Sequence, residues 1–298
     1  MKLLLIGGNG FVGRHVASMA SEHEVVSTGS ECDVRNTESV ADLVSREKPD
    51  RVIHLAAITT LAESFRNPRA ALDINFGGVF NLLSALQESG FSGEMLFVSS
   101  SEVYGSLSED ELPVSEERLL KPTSPYAVGK IAAEALCHQW SHSTDFKIVI
   151  ARPFNHIGPG QSERFAISDF ARQIAAIRFG IAEPVILVGD INTTRDFTDV
   201  RDVAEAYLLL LDKGRGGEVY NVCSGIERSI RSLIERMCEI AGVKVELRSD
   251  PMRIRPNDQR RVRGNHARLA ADTGWQPKIP MERTLSDLLD FWSEKLSD

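Results

Sequence analysis

Lys2-Leu3-Leu4-Leu5-Ile6-Gly7-Gly8-Asn9-Gly10-Phe11-Val12-Gly13 decides the fold. An apolar run short enough for a buried strand meets a glycine-rich turn, and an amphipathic segment from Phe11 to Met19 follows. Gly7 permits the tight turn, Gly10 lets a phosphate approach the backbone, and Gly13 lets helix and strand pack closely. The first apolar run is too short for a signal peptide core, and the glycine turn makes a buried strand the better reading.

Outward from that stretch, strand-like and helix-like segments alternate. Strands are predicted over 24–27, 52–55, 95–99 and 147–151, and helices over 37–46, 68–88 and 124–142. Ser124 is placed to cap the last helix, with Pro125 at its first position. Such alternation gives a parallel sheet wrapped by helices on both faces, an α/β fold of the Rossmann-type doubly wound kind. After Pro153 the rhythm loosens, with helices predicted over 165–179, 200–211, 230–241 and from Met281, and strands over 185–188 and 218–222. The division is a dinucleotide-binding domain over 1–155, with elements near 190–225 returning to it. A smaller α/β substrate lobe takes 156–189 and 226–298.

Composition narrows the function. The chain has 298 residues, 42% of them hydrophobic, enough for one large domain with a lobe. No apolar run reaches the ~18–20 residues of a membrane span. Net charge is −8, which argues against nucleic acid as a partner. Cys32, Cys137, Cys223 and Cys238 show no paired spacing, so they read as free thiols of a reducing cytoplasm rather than metal ligands or disulfides.

Tyr126 and Lys130 are four apart and share a helix face. A free Tyr titrates near 10, and an adjacent ammonium that lowered it by ~2–3 units would supply about 3–4 kcal/mol. Ser99-Ser100-Ser101 ends a predicted strand between the glycine turn and this helix. Tyr, Lys, a serine cluster and a glycine turn together form an apparatus for hydride transfer, with Tyr126 moving the proton.

These motifs, together with the spacing Gly-x-x-Gly-x-x-Gly, resemble the extended branch of the short-chain dehydrogenase/reductase superfamily over nearly the whole chain. The resemblance implies a dinucleotide held by Gly7, Gly10, Phe11, Val12, Gly13, Arg14, Asp33, Val34, Leu55, Ala56, Ala57, Tyr126, Lys130 and Pro153. Asp33 would contact the adenine amino group. Strand 24–27 ends without an acid to bind the ribose of NAD(H), and Arg14 could meet a 2′-phosphate, so NADP(H) is favoured over NAD(H). Ser100, counted back from Tyr104-Gly105, takes the catalytic hydroxyl position, with Ser101 toward the sugar. Glu102 occupies the place of the base in sugar-nucleotide 4,6-dehydratases.

Asn155 in Arg152-Pro153-Phe154-Asn155-His156-Ile157-Gly158-Pro159-Gly160-Gln161 resembles the residue set against a nucleotide-sugar diphosphate. Arg195 in Arg195-Asp196-Phe197-Thr198 and Arg255 in Arg253-Ile254-Arg255-Pro256 resemble its arginine partners. The 155–161 run resembles reductases of GDP-4-keto-6-deoxymannose more than dehydratases. Reduction of a GDP-linked 4-keto-6-deoxyhexose is the leading expectation, with a 4,6-dehydratase and a 4-epimerase as alternatives. The family also implies a homodimer through helices 68–88 and 124–142, and no metal.

Overall fold

The computed structural model describes residues 1–253 and 259–297. β1 (Lys2–Ile6) runs into α1 (Phe11–Met19), and β2 (Glu24–Ser27) into α2 (Thr37–Glu47). β3 (Arg51–His54) is followed by α3 (Leu61–Arg66), α4 (Pro68–Leu72) and α5 (Gly78–Glu88). β4 (Glu94–Val98), α6 (Pro125–Ser143) and β5 (Lys147–Pro153) complete the first half. All these strands pair in parallel in the order β2-β1-β3-β4-β5, and β9 (Val219–Val222) joins beside β5. Leu3, Leu4, Leu5, Val52, Ile53, Met95, Leu96 and Phe97 are wholly buried, as a sheet covered on both faces requires. The strand order changes direction at β1 and β3, which opens a crevice at their carboxyl ends.

Several predicted segments differ in detail. The helix expected over 68–88 is interrupted by a π-helical turn, Asp73–Gly77, between α4 and α5. Its Asn75 is fully buried and exchanges two hydrogen bonds with the backbone of Ile58, at 2.9 and 3.3 Å. A wider turn is what lets that side chain reach the loop beyond β3. The helix α3 was not expected.

The second half holds β6 (Asn155–Ile157), α7 (Ala166–Arg178), β7 (Val185–Val188), β8 (Thr194–Asp199) and α8 (Val200–Lys213). β10 (Glu227–Ser229), α9 (Ile230–Ala241), β11 (Glu246–Ser249), α10 (Ala267–Thr273) and α11 (Met281–Ser297) follow. A three-stranded sheet, β10-β8-β6, and a pair, β11-β7, stand apart from the main sheet. Helices α7, α9 and α11 enclose a separate core around Phe170, Ile174, Leu233, Met237, Leu285 and Trp292. Both α8 and β9 pack with the main sheet. The division that gave all of 226–298 to the lobe needs correction, because Leu269 and Trp275 are buried against Tyr207 and Leu210 in the main-sheet core. Their apolar bulk sends that part of the tail back across the domain. Among the described residues no helix is long and apolar enough to cross a membrane, and no cluster of potential metal ligands is present.

Candidate active site

Gly7 adopts φ +81°, and a Cβ there would lie 2.7 Å from the Ala56 amide nitrogen. Only glycine fits where the turn after β1 passes the loop after β3. A Cβ on Gly13 would lie 2.3 Å from the Gly8 carbonyl, so α1 is seated against its own turn. Gly10 is the N-cap of α1 and offers no side-chain cap, and no acidic residue stands in the first turn. The amides at that helix start face the crevice without a protein anion, a fit for a pyrophosphate. Leu55 and Ala56 border the turn, Ala57 follows them, and Val34 lies buried beneath Gly78. Phe11 stacks on His156 at 6.1 Å, which ties the turn to the segment after β5.

Ser100 directly follows the loop out of β4 and caps a 3-10 turn, Ser101–Tyr104. Its hydroxyl accepts a hydrogen bond from the Glu102 amide at 3.2 Å and lies close enough to the Tyr126 phenol to favour its ionised form. Ser124 caps α6, accepting from the Ala127 amide at 3.1 Å, and Pro125 holds the first helical position. The cap fixes the helix start, so Tyr126 emerges in the first turn facing Ser100. Ser100, Tyr126 and Lys130 are all buried, and Glu102 is exposed nearby. The structure places Ser100 beside Tyr126, with Lys130 one turn further along α6.

The electrostatics differ from the simple pairing of phenol and ammonium. Burial pushes the Tyr126 phenol up to about 12, against a favourable contribution from Ser100 and an adverse field from Glu102. Lys130 reaches the end of β4. Its ammonium donates to the Val98 carbonyl at 2.7 Å and lies 5.0 Å from the Phe97 ring centre. Burial lowers it to about 8, while the Glu134 carboxylate works in the opposite direction.

Glu134 and Arg152 were missed as site residues. Glu134 is one turn beyond Lys130 on α6 and is buried. It accepts two hydrogen bonds from Arg152, at 3.0 and 2.6 Å, and one from the Ser99 hydroxyl. Arg152 also donates to the Tyr104 hydroxyl at 3.1 Å, which in turn donates to Asn221 at 2.6 Å. Ser99 is thereby held by Glu134, whereas the Ser100 hydroxyl stays on the Tyr126 side. A carboxylate amid apolar Ala133 and Cys137 on one helix was the available signal.

On the substrate side, β6 and β8 are neighbours, with Asn155 paired in register with Phe197, two residues from Arg195. Asn155 is exposed, and Arg195 donates to the Thr194 carbonyl at 2.8 Å. Arg255 lies outside the described residues. Arg253 pairs with Asp169 at 3.0 Å, and Arg261 pairs with Glu227 and Glu109. These two cations of the basic stretch are held in ion pairs. Near the adenosine end, Asp33 forms a bidentate pair with Arg35 that lowers its carboxyl to about 2. Arg14 is exposed and spans the carbonyls of Asn9, at 3.1 Å, and Gly160, at 3.4 Å. Pro153 is buried at the end of β5.

Residues 19–288 match the GDP-mannose 4,6 dehydratase family. The chain belongs to that family. It is 46% identical to a GDP-6-deoxy-D-mannose reductase of Pseudomonas aeruginosa, over 100% of this chain and 99% of the relative. It is 28% identical to a GDP-mannose 4,6-dehydratase of Sordaria araneosa, over 86% of this chain but 50% of the relative. Among solved structures, RMD from Pseudomonas aeruginosa complexed with NADPH superposes with a TM-score of 0.93 at 45% identity, covering 99% of this chain and 100% of the other. Membership makes the chain a nicotinamide-dependent nucleotide-sugar enzyme of the extended short-chain dehydrogenase/reductase type, with a Rossmann-type fold.

Proposed function

We propose that the protein reduces the C4 keto group of GDP-4-keto-6-deoxy-D-mannose to give GDP-D-rhamnose. The observation that carries this reading is the end-to-end 46% identity to a GDP-6-deoxy-D-mannose reductase. The site supports it. NADP(H) is the favoured cofactor and NAD(H) the second, held by the glycine turn, by Leu55, Ala56 and Ala57, and by Lys130 at the nicotinamide ribose. The bound dinucleotide supplies the hydride delivered to C4.

Every other element of the reaction comes from this chain. Tyr126, protonated below about 12, donates its proton to the C4 oxygen. Ser100 donates a hydrogen bond to the same oxygen and polarises the carbonyl. Asn155, Arg195 and Arg255 hold the diphosphate, and Ser101 faces the sugar. The burial of Ser100, Tyr126 and Lys130 keeps water from the transfer.

A second reading, 4,6-dehydration of GDP-mannose, rests on Glu102, an exposed carboxylate whose field reaches Tyr126. Absorbance at 340 nm with NADPH and GDP-4-keto-6-deoxymannose separates the two. Stoichiometric loss with formation of a 6-deoxyhexose supports the reductase. No loss, with GDP-mannose losing water at catalytic cofactor, moves the assignment to the dehydratase. Homodimerisation belongs to this proposal. It is supported by Phe65, Phe76, Phe80 and Val128, exposed on α3, α5, α6 and the turn between α4 and α5. A cytoplasmic site of action is supported by four cysteines without a disulfide.

A further inference from the structure

Asn221, near the end of β9, is fully buried and bonds three separate segments of the chain. Its side-chain amide donates to the Val114 carbonyl at 3.1 Å and to the Asn265 carbonyl at 3.2 Å. Its side-chain oxygen accepts from the Tyr104 hydroxyl at 2.6 Å, and its backbone amide donates to the Glu116 carboxylate at 2.8 Å. A carboxamide meets two carbonyls and a hydroxyl at once, whereas a carboxylate lacks the donors and an apolar side chain lacks all three bonds.

Two of the joined segments border the site. Tyr104 closes the 3-10 turn that Ser100 caps. Asn265 ends a strap that runs beside β8. The Val262 amide donates to the Thr194 carbonyl at 3.2 Å, the Thr194 amide to the Arg260 carbonyl at 2.9 Å, and the Gly264 amide to the Asp196 carboxylate at 3.1 Å. Thr194 and Asp196 flank Arg195. A Cβ on Gly264 would lie 2.7 Å from the Phe154 ring, so the strap is also seated against the residue before Asn155. The side of the site that carries Arg195 and Asn155 and the side that carries Ser100 therefore meet at one buried amide.

We propose that Asn221 is a positioning residue for the reduction, fixing the register between the Arg195 side of the site and the turn that carries Ser100. The inference rests on the preceding functional reading. Burial pushes the Tyr104 phenol up to about 12, so it remains a donor throughout the neutral range. Arg152 donates to the same hydroxyl at 3.1 Å, which leaves the phenol proton for Asn221. A nucleotide sugar held by its diphosphate presents its C4 oxygen at a distance set by the strap and β8. Movement of that side against the turn carries the oxygen away from Ser100, and a misplacement of about 1 Å costs on the order of 100-fold in rate.

Two variants cut the junction on opposite sides. Tyr104→Phe removes the hydroxyl and leaves the bonds to Val114 and Asn265. Asn221→Asp keeps an acceptor for Tyr104 and removes both side-chain donors. Each lowers kcat for reduction of the keto sugar about 10- to 100-fold. Titration calorimetry with GDP and with NADPH gives Kd values within about twofold of wild type. Ile234→Val, in the separate lobe core, lowers Tm and leaves kcat unchanged, which separates lost register from lost stability. The fall of kcat/KM above about pH 8 keeps its place in Tyr104→Phe, because Lys130 is untouched. A kcat within about twofold of wild type in Tyr104→Phe overturns the inference, as does a loss of GDP affinity as large as the loss of kcat. A shift of the pH fall assigns the effect to Lys130 and also overturns it. If Asn221→Asp does not fold, Tyr104→Phe decides alone. A wild type that leaves NADPH unoxidised with the keto sugar overturns the functional reading and this inference together; an active wild type with an insensitive Tyr104→Phe overturns the inference alone.

Discussion

Lys130→Met should stabilise the protein at neutral pH while abolishing its turnover. Lys130 is 2% exposed, and burial brings its ammonium from 10.5 down to about 8. That drop corresponds to about 3 kcal/mol by which the folded state disfavours the charged form. The unfolded chain carries the proton up to about 10.5, whereas the folded one sheds it near 8. Between these values the unfolded state binds more protons, so wild-type stability rises with pH. Below pH 8 the full penalty is present, and above 10.5 it is gone. Methionine fills similar volume without charge, at the cost of the hydrogen bond to the Val98 carbonyl, about 1–2 kcal/mol. The net gain at pH 7 is about 1–2 kcal/mol, or about 2–6 °C in Tm for a chain of this size. Thermal unfolding of both proteins at pH 7 and pH 10 measures the difference. The gain should shrink or reverse at pH 10. A variant less stable at pH 7, or a gap that ignores pH, would refute the claim that the lysine is retained at a cost to stability.

Other perturbations reach the same site from different sides. Tyr126→Phe should lower turnover about 100-fold or more with cofactor affinity retained, since only the transferred proton is removed; unchanged turnover would take Tyr126 out of the mechanism. Glu134→Gln leaves the buried Arg152 guanidinium without its counter-charge and should cost about 3 kcal/mol in denaturant unfolding, an effect that a loss under about 0.5 kcal/mol would contradict. In wild type, kcat/KM for reduction should fall as pH rises through about 8, because Lys130 loses its charge there while Tyr126 stays protonated to about 12. The same Glu134→Gln variant should move that fall to lower pH, because Glu134 is what holds Lys130 up.

Much of this was legible because the main sheet is built from runs with one possible fate. Leu3–Leu5, Val52–Ile53, Met95–Phe97 and Ile148–Ala151 are too apolar for solvent and too short for buried helices. The caps Ser124 and Pro125 carry local chemistry that tertiary packing did not override. Apart from β7, which was expected over 185–188, the strands of the lobe were illegible for the opposite reason. β10 reads Glu-Arg-Ser, and β8 alternates charges that are later buried by partners far along the chain. Asp196, for example, becomes buried by accepting from Ser224, Gly225 and Gly264. No window of local sequence contains those donors.

The buried charges behind the catalytic pair explain why such a costly lysine is kept. Glu134 is claimed by Arg152 through both oxygens, so the local sum over Lys130, Glu134 and Arg152 is one positive charge. A Glu134 without Arg152 would neutralise Lys130 outright and remove the field from the site. A Lys130 without Glu134 would shed its proton below about 8 and remove it as well. The three together leave a net cation one helical turn from a phenol held near 12, which is a poor acid at rest. Proton donation from Tyr126 creates a phenolate only at the moment of transfer, and that anion forms beside Ser100 and within reach of the retained charge. The environment is thus matched to the charge distribution that the reaction creates rather than to the resting enzyme.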